Sequence, residues 1–533
     1  MIKRQSVFLA VLFFGIASSS HGQVVIQFED VTEKSGIKNF LKGMMGHGAA
    51  WGDFEDNGVP DLFVGGFCDR PDAEYAPVNK PVHSYLLRQT EDGTFAHVAI
   101  PGTMVYGRTS GAVFADLNND GEQELFISNN AKASAGKTMG IQGKAKVEPS
   151  RLLQDRDNYY FDITEKSGAV PKEMQTARNI GIFDYNRDGL LDLLIIEDRF
   201  RKNPKSRLMK NLGKLKFEDV TETVGLPNDL FGLGHAVADW NNDGFPDFLV
   251  GHSNRFFLSD GKGKYQESKK LAETFAWKPL HNEDWPCGVA TADINNDGLL
   301  DIVLGIHGEP ARNRVYLNTG IVAGEPTFRD ITKEAGLPDS LAVKTPHVEL
   351  IDFDNDGRPD IYTTAAYLQD DGSIHPVIYR NVTTDPSKPR FEEQGATKGK
   401  LVYFPAGPSA DFNRDGKRDL FLVNWYQNNH CRLLKNSTAE VGNWVTLKAT
   451  GKKFNSDGIG TRFELFEAGT KKRLGTQEIN VGYGYASGQM AECHFGLGKH
   501  DQIDLQVRFP DGTTHLIEKL PVNKLHIIQP TDK

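Results

Sequence analysis

The sequence predicts an all-β chain, a seven-bladed β-propeller followed by a small C-terminal β-sandwich. Three observations carry that expectation. One nine-residue, aspartate-rich stretch recurs seven times at intervals of 63, 68, 55, 54, 59 and 59 residues, and a period of that size marks a repeat architecture. Each copy runs straight into a short apolar segment such as Leu193-Leu194-Ile195-Ile196 or Phe248-Leu249-Val250, which reads as a buried strand. Beyond residue 438 the repeat stops, and alternating strands with Gly and Asp-Gly turns take its place.

The repeated stretches are residues 53–61, 116–124, 184–192, 239–247, 293–301, 352–360 and 411–419. Oxygen-bearing side chains stand at positions 1, 3, 5 and 9, glycine stands at 6, and position 7 can offer a backbone carbonyl. Hard cations take six to eight oxygens, and so short a loop surrounds one only by turning sharply at a residue that tolerates φ > 0. The expected ligands are Asp53, Glu55, Asn57 and Asp61; Asp116, Asn118, Asp120 and Glu124; Asp184, Asn186, Asp188 and Asp192; and Asp239, Asn241, Asp243 and Asp247. The last three loops contribute Asp293, Asn295, Asp297 and Asp301; Asp352, Asp354, Asp356 and Asp360; and Asp411, Asn413, Asp415 and Asp419.

Up to seven structural Ca²⁺ are therefore expected. EF-hand and dockerin-like loops carry an acid at position 12, which here is Val64, Ile127, Ile195, Val250, Leu304, Thr363 or Leu422. The first loop has Glu55 and Asn57 where Asn and Asp are usual, and the second ends on Glu124, so these are the weakest candidates. The sixth has carboxylates at all four side-chain positions and is expected to bind tightest. No base or nucleophile is paired with these ligands, so the metal reads as structural.

Residues 1–22 read as a secretory signal, with Lys3 and Arg4 before an apolar stretch too short to span a bilayer. The expectation is a secreted or periplasmic protein with no membrane span. The formal charge of −10 becomes −12 without Lys3 and Arg4, and seven divalent ions would bring it to +2. The acidity is thus mostly metal ligand, and no basic stripe with interleaved aromatics speaks for nucleic acid. Cys68, Cys287, Cys431 and Cys493 lack C-x-x-C spacing, which argues against zinc and leaves three disulfide pairings open.

Each repeat reads as four strands: a small-residue strand entering the aspartate loop, the apolar strand after it, a Leu/Tyr strand such as Val315-Tyr316-Leu317, and a Phe-x-Asp-Val-Thr strand. The last phrase occurs as Phe28-Glu29-Asp30-Val31-Thr32 before the first loop and is missing after the seventh. The N-terminal strand is therefore expected to complete the last blade, closing the ring and removing its free sheet edges. The expected organisation is a signal peptide at 1–22, a propeller at 23–438 and a sandwich at 439–533.

Seven Asp-x-Asn-x-Asp-Gly-x-x-Asp loops with interleaved Phe-x-Asp-Val-Thr resemble the FG-GAP/VCBS repeats of integrin-type propellers. The C-terminal segment resembles the ASPIC/UnbV domain in Ser456-Asp457-Gly458-Ile459-Gly460-Thr461-Arg462, Gly482-Tyr483-Gly484-Tyr485-Ala486-Ser487, His494-Phe495-Gly496-Leu497-Gly498 and Val507-Arg508-Phe509-Pro510-Asp511-Gly512. The combination is similar to the cartilage acidic protein and UnbV-like family. That resemblance implies calcium binding and extracellular interaction, and it supplies no catalytic residues.

The connections on the face opposite the aspartate loops are long and irregular, at residues 67–82, 129–150, 278–288 and 365–375, and long loops on a rigid scaffold are where binding usually resides. His281, Glu283, Asp284 and Trp285 gather in one of them, with Arg178, Tyr106, Arg108, His347 and Trp425-Tyr426 at corresponding places in other blades. The reading is an exported, calcium-stabilised, non-enzymatic adhesion or ligand-binding protein whose irregular face, with the C-terminal sandwich, engages an extracellular glycan or protein. The alternative is a polysaccharide-active lyase or hydrolase using His281, Glu283 or Arg178. Adjacent carboxylates do not make a glycosidase pair, which must flank a bond at about 5–9 Å. Residues 482–488 are glycine-rich without the spacing of a phosphate cradle, and Asn381-Val382-Thr383 and Asn436-Ser437-Thr438 are glycosylation sequons.

Overall fold

The computed structural model describes residues 24–41, 44–68, 82–130, 148–174, 176–198, 203–394, 398–426 and 429–530. The expected signal at 1–22 and the centres of the loops at 67–82 and 129–150 lie outside them. Small residues dominate the strand entering each aspartate loop, as in Gly46–Gly52 and Thr109–Ala115, and every residue of these two strands is buried. Such strands converge at the centre of a ring, where bulky side chains would not fit. The apolar strand after each loop, Asp192–Glu197 for example, is buried on both faces.

Seven sheets result among the described residues, five of four strands and two of five, and the fourth strand of the last comes from the N-terminus. Phe28–Asp30 pairs with Arg432–Asn436, Phe28 opposite Asn436. Two repeated side-chain contacts show that it stands where the fourth strands of the third and fifth blades stand. A threonine hydroxyl accepts a third-strand N–H, from Leu208 to Thr221 (3.0 Å), from Val315 to Thr332 (2.9 Å) and from Leu433 to Thr32 (2.8 Å). An arginine of the third strand pairs with the aspartate of the fourth, Arg207 with Asp219, Arg314 with Asp330, and Arg432 with Asp30.

At five junctions, neighbouring blades are clamped by a carboxamide of the third strand. The Asn381 amide donates to Ile294 O of the preceding blade (2.9 Å) and to Pro359 O of its own (3.1 Å). Asn211 and Asn318 repeat the pattern, and Asn436 donates to Phe353 O (2.9 Å). Gln89, its amide nitrogen turned toward Phe412 O (2.9 Å) and Pro60 O (3.3 Å), bridges the last blade and the first. Asn381 and Asn436 are fully buried, so neither sequon can carry a glycan in the folded ring. Asn381→Ala strands two buried carbonyls and is expected to cost about 2–3 kcal/mol, read as a lower urea midpoint.

The C-terminal region forms a three-stranded sheet, Cys493–Gly498, Asn443–Ala449 and Lys524–Ile528, and a four-stranded sheet, Arg473–Glu478, Arg462–Glu467, Gln502–Arg508 and Thr514–Pro521. Val445, Leu447, Phe463, Leu465, Phe495, Leu505 and Val507 share the core between them.

From this sandwich, residues 482–489 run as a tongue into the centre of the ring. Ser487–Gly488 adds in parallel to Gly46–Gly52. The Gly484 N–H is shared between His235 O (3.1 Å) and Val289 O (2.9 Å), and the Tyr485 N–H donates to His347 Nδ1 (3.0 Å). Asn179 donates to Gly484 O (3.3 Å), and the Gly407 N–H to Ser487 Oγ (3.3 Å). Six blades thereby bond one short segment. Gly484 has φ +74°, and a Cβ there would fall 2.5 Å from His347 Nδ1, which accounts for the glycine.

Candidate functional site

The aspartate loops share one geometry. In every loop the first aspartate accepts the N–H of position 5 at Oδ1 and that of position 6 at Oδ2, as Asp352 does from Asp356 (3.0 Å) and Gly357 (2.7 Å). The ninth residue lies beneath the loop, where Asp360 accepts from the Phe353 N–H (3.1 Å) and the Asn381 N–H (2.8 Å). Carboxylate oxygens retain further lone pairs after such bonds. Asp352, Asp354 and Asp356 each place one oxygen within 4.8 Å of the others. Asp354 Oδ1 and Asp247 Oδ2 are buried with no hydrogen-bond partner among the described residues.

Burial, with neighbouring carboxylates adding to it, pushes Asp61 and Asp293 up to about 7 and Glu124 to about 9. Asp352, Asp360 and Asp301 are driven well above the ordinary range for the same reasons. Buried carboxylates are stable as anions when a cation joins them, so the donor set fits a hard divalent ion. The sixth loop carries a counter-charge of its own. Arg380 pairs with both Asp354 (2.6 Å) and Asp356 (2.7 Å), so its extra carboxylate is offset within the protein.

The sandwich sits on the aspartate-loop face. The Asp116 N–H donates to Asp457 Oδ2 (2.7 Å), Ser456 Oγ donates to Asp116, and Arg508 pairs with Asp239. Arg462 donates to Gly298 O (2.6 Å), and His494 meets Asn355 Oδ1 (2.8 Å). A Cβ on Gly496 would lie 2.0 Å from Asp352 Oδ2, so only glycine lets that strand approach the sixth loop. Glu492 takes Arg414 (2.9 Å) and Arg418 (3.3 Å). The motifs 456–462, 482–487 and 494–498 all supply contacts to the ring, chemistry that periodicity cannot announce.

At the opposite mouth of the channel, the structure joins two of the predicted ligand groups through one that sequence reasoning missed. His47 packs at a tilt against Trp425 (centroids 4.5 Å apart) and Phe67 (4.6 Å), and its Nδ1 lies 3.2 Å from both Arg178 Nη1 and the Tyr485 hydroxyl. Arg178 is buried and paired with Asp198, so it is a member of the channel wall. His347 is likewise buried, 3.0 Å from Glu349, and holds the tongue.

In the loop around 281–285, His281 and Glu283 are exposed, Glu283 pairing with Lys344 (2.8 Å). Asp284 is fully buried, pairs with Arg312 and accepts the Leu280 N–H (2.7 Å). Trp285 stacks on His252 of the preceding blade (4.7 Å). All four cysteines are buried, and Cys287, Cys431 and Cys493 are thiols.

A family model for the FG-GAP-like repeat matches residues 184–250 and 293–363, and one for the ASPIC and UnbV domain matches residues 451–533. The chain thus carries FG-GAP-like repeats and a C-terminal ASPIC and UnbV domain. Its curated relatives include cartilage acidic protein 1 from Homo sapiens, 24% identical over 439 residues and covering 76% of this chain and 60% of the relative. The Mus musculus protein of the same name is 24% identical over 438 residues, covering 76% and 62%. The chain thus spans less than two thirds of the length of these relatives. Among solved structures, the exotype rhamnogalacturonan lyase YesX aligns at TM-score 0.37 and 13% identity, covering 91% of this chain and 73% of that one. The V. cholerae biofilm matrix protein Bap1 aligns at TM-score 0.30 and 9% identity, covering 95% and 85%. Likeness at that level carries no argument about what this chain does.

Proposed function

We propose that this protein is an exported, calcium-stabilised propeller that acts as a non-enzymatic binding module for an extracellular glycan or protein through its irregular face. The observation that carries the calcium assignment is the convergence of Asp352, Asp354 and Asp356, each with one oxygen within 4.8 Å of the others, in a loop where Asp354 Oδ1 is buried with no hydrogen-bond partner among the described residues. Calcium there would neutralise buried carboxylates and tie each loop to the strands on either side. The ligand assignment draws on Trp425, Phe67 and exposed Tyr106 around the channel mouth, with Arg108 over the Phe67 ring at 4.6 Å. A binding role is supported by the charge state of the 281–285 loop: Lys344 holds the Glu283 carboxyl below its ordinary range, the opposite of what a general acid needs.

The test is to count bound ions on the full chain by native mass spectrometry. Up to seven Ca²⁺ are expected, with one lost in Asp352→Asn/Asp356→Asn. No bound calcium at millimolar concentration overturns the assignment.

A further inference from the structure

A second surface, away from the irregular face, has the chemistry of a carbohydrate site. Between the outer strands of the second and third blades lies a cavity of about 400 Å³ lined by Arg156, Lys166, Lys214 and Lys216 together with Asn118 and Gln154. Four cations and no carboxylate line it, in a protein whose formal charge is −10. Nearby basic residues are neutralised, Arg151 by Glu148 (3.0 Å), Arg207 by Asp219 (2.8 Å) and Lys210 by Asp188 (3.3 Å). Among the described residues these four cavity cations form no ion pair. Like charges held together without counter-charges raise the local potential, and an anionic ligand relieves it.

Two aromatics stand beside the cavity, next to its Arg156. Tyr159 and Phe161 are 43% and 45% exposed, their rings 4.9 Å apart, and Arg156 lies over the Phe161 ring at 5.5 Å. Two large aromatics left in solvent beside a basic cavity combine the two things an acidic sugar offers, charge at its carboxylate or sulfate and an apolar ring face. An inorganic anion would not use the aromatics, and a nucleic acid would want a longer basic track than one cavity. Asn118 belongs to the second aspartate loop as well, so a cation bound there would add positive charge at the cavity floor.

We propose that this cavity binds an anionic oligosaccharide, with Arg156, Lys166, Lys214 and Lys216 meeting its carboxylates or sulfates and Phe161 and Tyr159 packing on its rings. The site stands on its own, whether or not the irregular face binds a ligand.

Calorimetric titration of the full chain with a hyaluronan oligosaccharide, carrying carboxylates, and a heparin oligosaccharide, carrying sulfates, tests it, with dextran as the neutral probe. At least one anionic probe is expected to bind and dextran is not, and the tighter anionic probe identifies the charged group recognised. Lys214→Glu/Lys216→Glu should weaken binding at least tenfold and Phe161→Ala severalfold, while Lys519→Glu on the sandwich leaves it within twofold. Thermal melts confirm that the variants are folded. Absence of binding by both anionic probes, equal binding of dextran, or full affinity in both cavity variants overturns the proposal.

Discussion

Chelating calcium is expected to lower the melting temperature of the full chain by about 15 °C or more. A site filled at a hundred times its Kd stabilises the folded state by about 2.7 kcal/mol, and seven such loops together exceed the net stability of most domains. With an unfolding entropy of about 2 cal/mol/K per residue, that total corresponds to a shift of about 15–20 °C. The loss should be cooperative. The ninth residue of each loop also holds the end of a third strand, and the carboxamide clamp next to it reaches the preceding blade, as Asp360 and Asn381 show. A scanning melt in calcium and in excess chelator checks this. Identical curves would mean that the hydrogen bonds from positions 5 and 6 hold the loops unaided.

Glu492→Gln should cost about 3 kcal/mol at neutral pH, because it leaves the buried Arg418 and the partly buried Arg414 without their shared counter-charge. Burial pushes the Glu492 carboxyl up, but Arg414 and Arg418 outweigh it and the pKa lies below the ordinary 4.5. A carboxyl depressed on folding contributes stability above its unfolded pKa and loses it as pH falls through the folded one. The melting difference between Glu492→Gln and the natural chain should therefore be full above about pH 5 and shrink below about pH 4. Paired melts at several pH values read it out. A difference that stays constant into acid would place the energetic role of Glu492 outside its charge.

Much of the ring could be read from the chain alone because its chemistry is local and repeated. An aspartate loop needs only nine consecutive residues, and Phe28-Glu29-Asp30-Val31-Thr32 announced by its phase that it belongs beside Arg432–Asn436. The carboxamide clamp was also visible in principle, since Asn211, Asn381 and Asn436 each end a third strand and Asn318 stands within one. What a lone asparagine at a strand end does, however, depends on which carbonyls face it across a blade junction.

The ligand groups were less legible. Arg178 and Trp425 meet through His47, and Arg178 turned out to be wall, because ion pairing with Asp198 makes burial of a guanidinium tolerable. His281 and Trp285 lie in the same short loop yet face different neighbours, Glu309 and His252.

By itself the sequence determined the all-β class, the sevenfold repeat, the N-terminal strand that completes the ring and the loops with the oxygen pattern of a hard-cation site, since each depends on residue type at fixed short spacing. Only the tertiary structure decided that the sandwich covers the aspartate loops, that residues 482–489 run into the centre of the ring, and that a basic cavity opens between two blades. Those arrangements are set by pairings such as Tyr485 with His47, 438 residues apart, and no local periodicity encodes which distant surfaces will bury one another.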